Sequence, residues 1–190
     1  NAPATAMHGF LSRDGMPPAE LLVAGRDEVT AYGGTITAGT VTELVIHGDS
    51  GFQAVLDDGR RVTAAKVLVT TGLRDELPDV PGLADRWAKD VLHCPYCHGW
   101  EVRDQQLGVL WNGAHSVQYA QIVRQWTHDL VLFAPTDALT PGDRSQLTAR
   151  AIGVVEGPVD HLVVQDDELS AVAMVDGRRI PRRAVFVPPR

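Results

Sequence analysis

The chain lacks most of the features that would announce a function outright. Its 190 residues hold only two cysteines, where a secreted scaffold of this size usually carries more, at wider spacing, so a reducing, cytoplasmic setting is expected. No run of about 18 apolar residues occurs, and no membrane partner is expected. The opening NAPATAMHGF has neither a basic start nor an apolar core, so it is not read as a signal peptide. It does not begin with Met, and the chain is expected to be processed or to be a piece of something longer. Net charge is −7 with acidic and basic residues interleaved; without a basic stripe to track a phosphate backbone, nucleic acid is set aside. No GxGxxG is found anywhere in the sequence.

What the chain does have is an internal repeat. Residues 41–71 match residues 159–189 at a constant offset of 118 without a gap, VTELVIHGDSGFQAVLDDGRRVTAAKVLVTT over VDHLVVQDDELSAVAMVDGRRIPRRAVFVPP. Both copies contain DGRR, and both close on an apolar run, VLV or VFV. Each reads as three strands joined by tight turns, with Asp-Gly marking the second turn, followed by a buried strand. Upstream of the second copy, LGVLW (107–111) reads as a buried strand and SVQYAQIVRQW (116–126) has helical apolar spacing. LVLF (130–133) is a further strand, and PGDRSQLTARA (141–151) a helix with proline in its first turn. Strand, helix, strand, helix, meander, strand is a βαβ nucleotide-binding module. The first copy has only PPAELLVAGRDEVTAYGG (17–34) as its front end, a helix with a Gly-Gly stop.

The predicted fold class is therefore α/β, with two nested nucleotide-binding modules of the three-layer ββα kind, the first incomplete at its N-terminus. The expected division is a partial FAD-binding domain at 1–74, a linker at 75–106 and an NAD(P)-binding-like domain with a degenerate turn at 107–190. Pro78, Pro81 and Gly82 mark the linker, and HCPYCHGWE (93–101) lies at its far end.

A CxxC pair can close a small disulfide, hold half of a zinc site or cycle between dithiol and disulfide. For zinc, only His93 and His98 are at hand, and four ligands within six consecutive residues would strain to surround one ion, so no metal site is assigned. A two-residue loop restrains the unfolded chain little, which weakens a purely structural bridge. Redox cycling needs a stabilised thiolate and a group that moves protons near neutral pH. Pro95 can start a helical turn whose amides favour a thiolate, and imidazole titrates in the useful range. His98, directly after the second cysteine, is the candidate proton carrier, with His93 read as a linker residue. CPYC also occurs in glutaredoxins, but there the pair follows the first strand and opens a long helix; here a meander and a proline-rich linker precede it.

On HGFLSRDG (8–15), the helix and YGG after it, VLVTTG (67–72), PDVPG (78–82), CPYCHGWE (94–101) and the repeat, the chain resembles the low-molecular-weight thioredoxin reductase family of FAD-dependent pyridine nucleotide-disulfide oxidoreductases. The resemblance implies that Cys97 faces the flavin, that Cys94 exchanges with the outside disulfide, and that His98 replaces an aspartate acting as acid. Thr71 and Gly72 match the turn that approaches FAD, although Thr70 stands where the family has alanine. At the second nucleotide turn, WNGAHS (111–116), only Gly113 of the glycine pattern remains, Trp111 takes the first glycine's place, and APTD offers no arginine pair for a 2′-phosphate. NADPH binding is thereby put in question.

CxxCH beside an eroded nicotinamide turn is similar to the dithiol oxidases of gliotoxin and holomycin biosynthesis, in which a small-molecule dithiol reduces the flavin and oxygen reoxidises it. The implied function is an FAD-dependent thiol/disulfide oxidoreductase acting on a thioredoxin-like protein or a small-molecule dithiol or disulfide, commonly as a homodimer. The alternatives are an NADPH-independent dithiol oxidase using oxygen, and a non-catalytic or zinc-binding fragment.

Overall fold

The computed structural model describes residues 4–46, 48 and 51–188; repeat positions 47, 49, 50 and 189 lie outside the described residues. The chain divides into two compact units, Leu22–Arg74 and the pair of segments Asn1–Leu21 and Asp75–Arg190.

Helix α1 (Pro18–Ala31) starts on prolines, where first-turn amides have no intrahelical partner to lose. It closes where Gly33 takes φ 82° and the Gly34 N–H returns to the Val29 carbonyl at 2.8 Å. The smaller unit continues as an antiparallel meander of β1 (Val41–Ile46), β2 (Phe52–Leu56) and β3 (Arg61–Ala64). Its second turn is pinned by Arg60, whose Nε donates to Asp58 at 2.6 Å and whose Nη2 donates to the Ala38 carbonyl at 2.7 Å.

The larger unit holds β4 (Val91–Leu92), α2 (Pro95–His98), β5 (Leu107–Leu110), α3 (Ser116–Val123), β6 (Leu130–Ala134), α4 (Pro141–Ala149) and β7 (Gly153–Glu156). The meander β8 (Val159–Gln165), β9 (Glu168–Met174) and β10 (Arg179–Pro181) follows, and then β11 (Ala184–Phe186). Five strands form a parallel sheet in the order β4-β11-β5-β6-β7. Strands β4, β5, β6 and β11 are continuous, buried apolar runs because both their faces are covered, while edge strand β7, GVVE, is only partly buried. Alternation then sorts the side chains: Leu107, Val109, Leu130, Leu132 and Phe186 pack on the side of α3 and α4. Leu110, Val131, Phe133 and Val185 pack on the meander with Leu162, Leu169 and Val172. The result is the expected three-layer ββα arrangement.

The two copies share hydrogen bonds as well as sequence. Arg178 donates to Asp176 and to the Glu156 carbonyl, each at 2.7 Å, which are the Arg60 contacts moved by 118 positions. The Ile152 N–H returns to Leu147 at 2.9 Å as that of Gly34 does to Val29.

Three features differ from the sequence expectation. The apolar run at 67–69, expected as a buried strand, is exposed and forms no strand. Its counterpart β11 is wholly buried between β4 and β5; a central parallel strand exists only through its neighbours, and among the described residues 67–69 has none. Strands β4 and β7 went unread in the sequence. Finally, residues 75–106 bury Leu83, Val91 and Leu92 rather than running as a bare linker. Buried Arg86 grips Asp90 through two hydrogen bonds of 2.9 and 2.6 Å and also bonds the Asp167 carboxylate and carbonyl. The Leu169 N–H donates to the same Asp90 at 2.7 Å. Hydrogen bonding to Asp90 holds the guanidinium charged against the cost of burial, and the clamp ties the segment before the cysteines to the β8–β9 turn.

Candidate redox site

Edge strand β4 delivers its carboxyl end directly into His93 and Cys94, and parallel pairing puts that end on the same side of the sheet as the end of β5. In open α/β sheets this is the side where ligands bind. The Tyr119 hydroxyl on α3 donates to the His93 carbonyl, and burial pushes its pKa up, so the phenol stays a donor.

Cys94 and Cys97 are joined in a disulfide with 5.2 Å between their Cα atoms. Cys94 is the N-cap of the single turn α2, Pro95 follows in the position that suits it, and the Cys97 N–H donates to Cys94 Sγ at 3.2 Å. A sulfur that accepts a backbone N–H is a better thiolate when the bridge opens. Cys94 is half-buried, while Cys97 and Tyr96 are exposed. The turn is pressed onto the core at Gly99, where an added methyl would overlap the Pro95 carbonyl and the Trp126 ring.

His98 is half-buried beside a cavity of about 120 Å³. Burial lowers its pKa below the ordinary imidazole value; Glu101 opposes that shift, and His8 and His93 reinforce it. The ring is thus biased toward its neutral, proton-accepting form. His8 and Glu101 line the same cavity. His8 sits in a loop closed by hydrogen bonds from Met7 N to Met16 O and from Gly15 N to Met7 O, each 2.9 Å. Its Nε2 lies 3.5 Å from Glu101 Oε1 and its Nδ1 3.5 Å from Asp14 Oδ1. Asp14, accepting the Gly9 N–H at 2.8 Å, is held below the usual carboxylate range. Sequence reading singled out neither His8 nor Glu101 as a site residue. The spacing of His98 and Glu101, three apart and hence on one face of a turn, was the available signal; nothing local links either to His8.

Cys94, Cys97 and His98 therefore meet at one place, and Gly113 lies in the same unit. Gly113 occupies the β5–α3 turn at φ 116°. Trp111 packs against the helix-side core instead of standing free in the turn, and its N–H pairs with the Phe133 carbonyl at 3.0 Å. The Asn112 N–H is taken by Ser116 Oγ at 2.9 Å, and its side chain donates to the Pro188 carbonyl at 2.7 Å. Thr71 and Gly72 lie in the smaller unit, both exposed, with Gly72 at φ 71°.

A parallel βαβ module with a meander on one face and a disulfide at the carboxyl edge of its sheet defines the class as an FAD/NAD(P)-binding type of fold bearing a CxxC disulfide. Comparison with known proteins narrows this. No family model matches the chain. It superposes on the crystal structure of HlmI with a TM-score of 0.96 and 48% identity, over 100% of this chain and 60% of that one. An oxidoreductase from Agrobacterium tumefaciens gives a TM-score of 0.88 at 30% identity, over 98% and 62%. Thioredoxin reductase aclD of Aspergillus oryzae is 35% identical over 112 residues, 57% of this chain and 36% of the relative. The chain thus spans only part of each relative's length; it is thioredoxin reductase-like in sequence and shares the fold of HlmI over its whole length.

Proposed function

We propose that the chain carries the exchanging disulfide of an FAD-dependent thiol/disulfide oxidoreductase. The observation that carries this reading is the Cys94–Cys97 bridge at the carboxyl end of β4, next to a half-buried His98.

In the direction of dithiol oxidation, His98 takes the proton of the incoming thiol, and the resulting thiolate sulfur bonds to Cys94 Sγ. The Cys94–Cys97 bond breaks and its electron pair leaves on Cys97. The second substrate thiol passes its proton to the Cys97 thiolate, attacks its own partner sulfur in the mixed disulfide and expels Cys94 as a thiolate, which the Cys97 N–H stabilises and which takes the first proton back from His98. Substrate leaves as a disulfide and the protein is left as a dithiol. Run backwards, the same steps reduce a disulfide partner, whether a thioredoxin-like protein or a small molecule.

Thr71 and Gly72 are assigned, on the resemblance, to the turn that approaches FAD; both are exposed, and Gly72 holds φ 71°. FAD, when bound, would supply an acceptor or donor for the electron pair. Cys97 is assigned as the sulfur that faces it and Cys94 as the sulfur that meets the partner.

The residues at the second turn do not fit NADPH. A single glycine remains, the Asn112 amide and side chain are already bonded, and Arg144, the arginine of α4, is paired with Glu156 at 2.5 Å. That observation favours a second reading, a dithiol oxidase that needs no nicotinamide and passes electrons to oxygen. Anaerobic titration of the full-length protein with NADPH and with dithiothreitol, following the flavin band, tests both. Dithiol bleaching with little response to NADPH supports the oxidase. Stoichiometric NADPH bleaching overturns it, and a colourless protein that takes up no flavin overturns the whole proposal. Cys97→Ser should abolish flavin reduction by dithiol, whereas Cys94→Ser should leave a thiolate that perturbs the flavin spectrum; identical spectra would reject the assignment of the two sulfurs.

A further inference from the structure

We infer that His8, Glu101 and His98 act as one proton-handling cluster, in which the carboxylate paired with His8 faces the same cavity as His98 and tunes the base beside the disulfide. The inference rests on the redox reading above and adds two positioning residues to it.

The geometry carries it. Glu101 follows His98 by three residues on the same turn, lines the same cavity, and has His8 Nε2 at 3.5 Å on its other side. The His8 ring is in turn backed by Asp14 at 3.5 Å. The cavity brings the 7–16 loop, from the unit's first segment, together with the cysteine turn, from its second. Charged and titratable groups facing His98 are Glu101, His8 and His93, and Lys89 lines the cavity as well.

When a thiol gives its proton to His98, the ring becomes a cation in a half-buried site. Glu101 then offsets the charge, so the proton is accepted without the ring leaving its place. A proton already on His8 competes for the same carboxylate and discourages a second one on His98. The two neighbours thus push the basicity of His98 in opposite directions, as the causes of its shift also indicate. Glu101 and His8 act through His98 and touch neither sulfur in this scheme.

The test uses the full-length flavoprotein with Glu101→Gln, His8→Asn and Glu101→Asp. His98 is titrated by NMR with labelled histidine, assigned with His98→Gln. The pH dependence of anaerobic flavin reduction by dithiothreitol is measured in parallel. Glu101→Gln should move the His98 titration and the acid limb of the rate profile to lower pH, and slow reduction roughly tenfold near neutrality. His8→Asn should move both to higher pH, and Glu101→Asp should restore the wild-type direction. A purely structural role would reduce the rate without moving either curve, so His98 titrating as in wild type in both Glu101→Gln and His8→Asn overturns the inference. Should the titration move as expected while dithiol fails to reduce the flavin of the wild type, the redox reading falls and the cluster stands.

Discussion

The two copies of the repeat began from the same instructions and ended in different states. In Leu22–Arg74 the helix stop, the meander and the Asp-Gly turn are built with the hydrogen bonds found 118 residues later, yet Leu56 is the only apolar side chain of that unit buried among the described residues. In the larger unit the same pieces cover a five-stranded sheet, and Phe133, Phe186, Leu169 and Val172 are all sealed from solvent. The difference teaches that hydrogen bonds close in sequence shape a turn or a hairpin by themselves, whereas burial is conferred by neighbours. VLV and VFV are equally apolar; among the described residues only the second lies next to partner strands.

The largest expected test of this contrast is Phe133→Ala, which removes the biggest side chain between sheet and meander. It should cost about 3–5 kcal/mol in urea unfolding of the 190-residue chain, while Leu68→Ala, at 86% exposure, should cost under about 0.5 kcal/mol. Equal losses would break the contrast. A register-matched pair comes next: Val187→Ala should cost roughly 2 kcal/mol and Val69→Ala almost nothing, as read by the shift in urea midpoint. The smallest effect compares the helix stops. Gly33 has φ 82°, and its counterpart Ala151 holds φ 50°, a backbone region that costs a side chain about 1–2 kcal/mol. Ala151→Gly should therefore raise the melting temperature and Gly33→Ala should lower it, each by about 1 kcal/mol; effects of the same sign would show that the two stops are not equivalent.

Because burial lowers the His98 pKa, the neutral base persists below the ordinary histidine range. The acid limb of dithiol-driven flavin reduction should lie on the acid side of a free imidazole, and His98→Ala should remove that limb. A limb that survives the substitution would take His98 out of the mechanism.

Much of the fold was legible because its signals are local. Helix starts at Pro18 and Pro141, stops at Gly33 and beyond Ala149, and the Asp-Gly turns all depend on a few adjacent residues. Strands β4 and β7 were not legible. Val91 and Leu92 are two apolar residues in a proline-rich stretch, and GVVE follows a helix end with no turn signature, so each is a strand only because β11 or β6 lies beside it. The sequence places Trp111 both at the end of a buried strand and in the first glycine's place; that its ring packs on the helix-side core follows from the tertiary structure.

By itself the sequence determined the repeat and its register, the layered α/β plan, and the grouping of Cys94, Cys97 and His98, because each is written in spacing or in residues next to one another. Tertiary structure alone decided which copy of the apolar run is buried. It also decided that Arg86 clamps the cysteine segment, and that His8 comes within reach of Glu101. Those outcomes depend on contacts between residues up to some ninety positions apart, and a contact of that range is made by the packing of whole layers, which no short stretch of chain encodes.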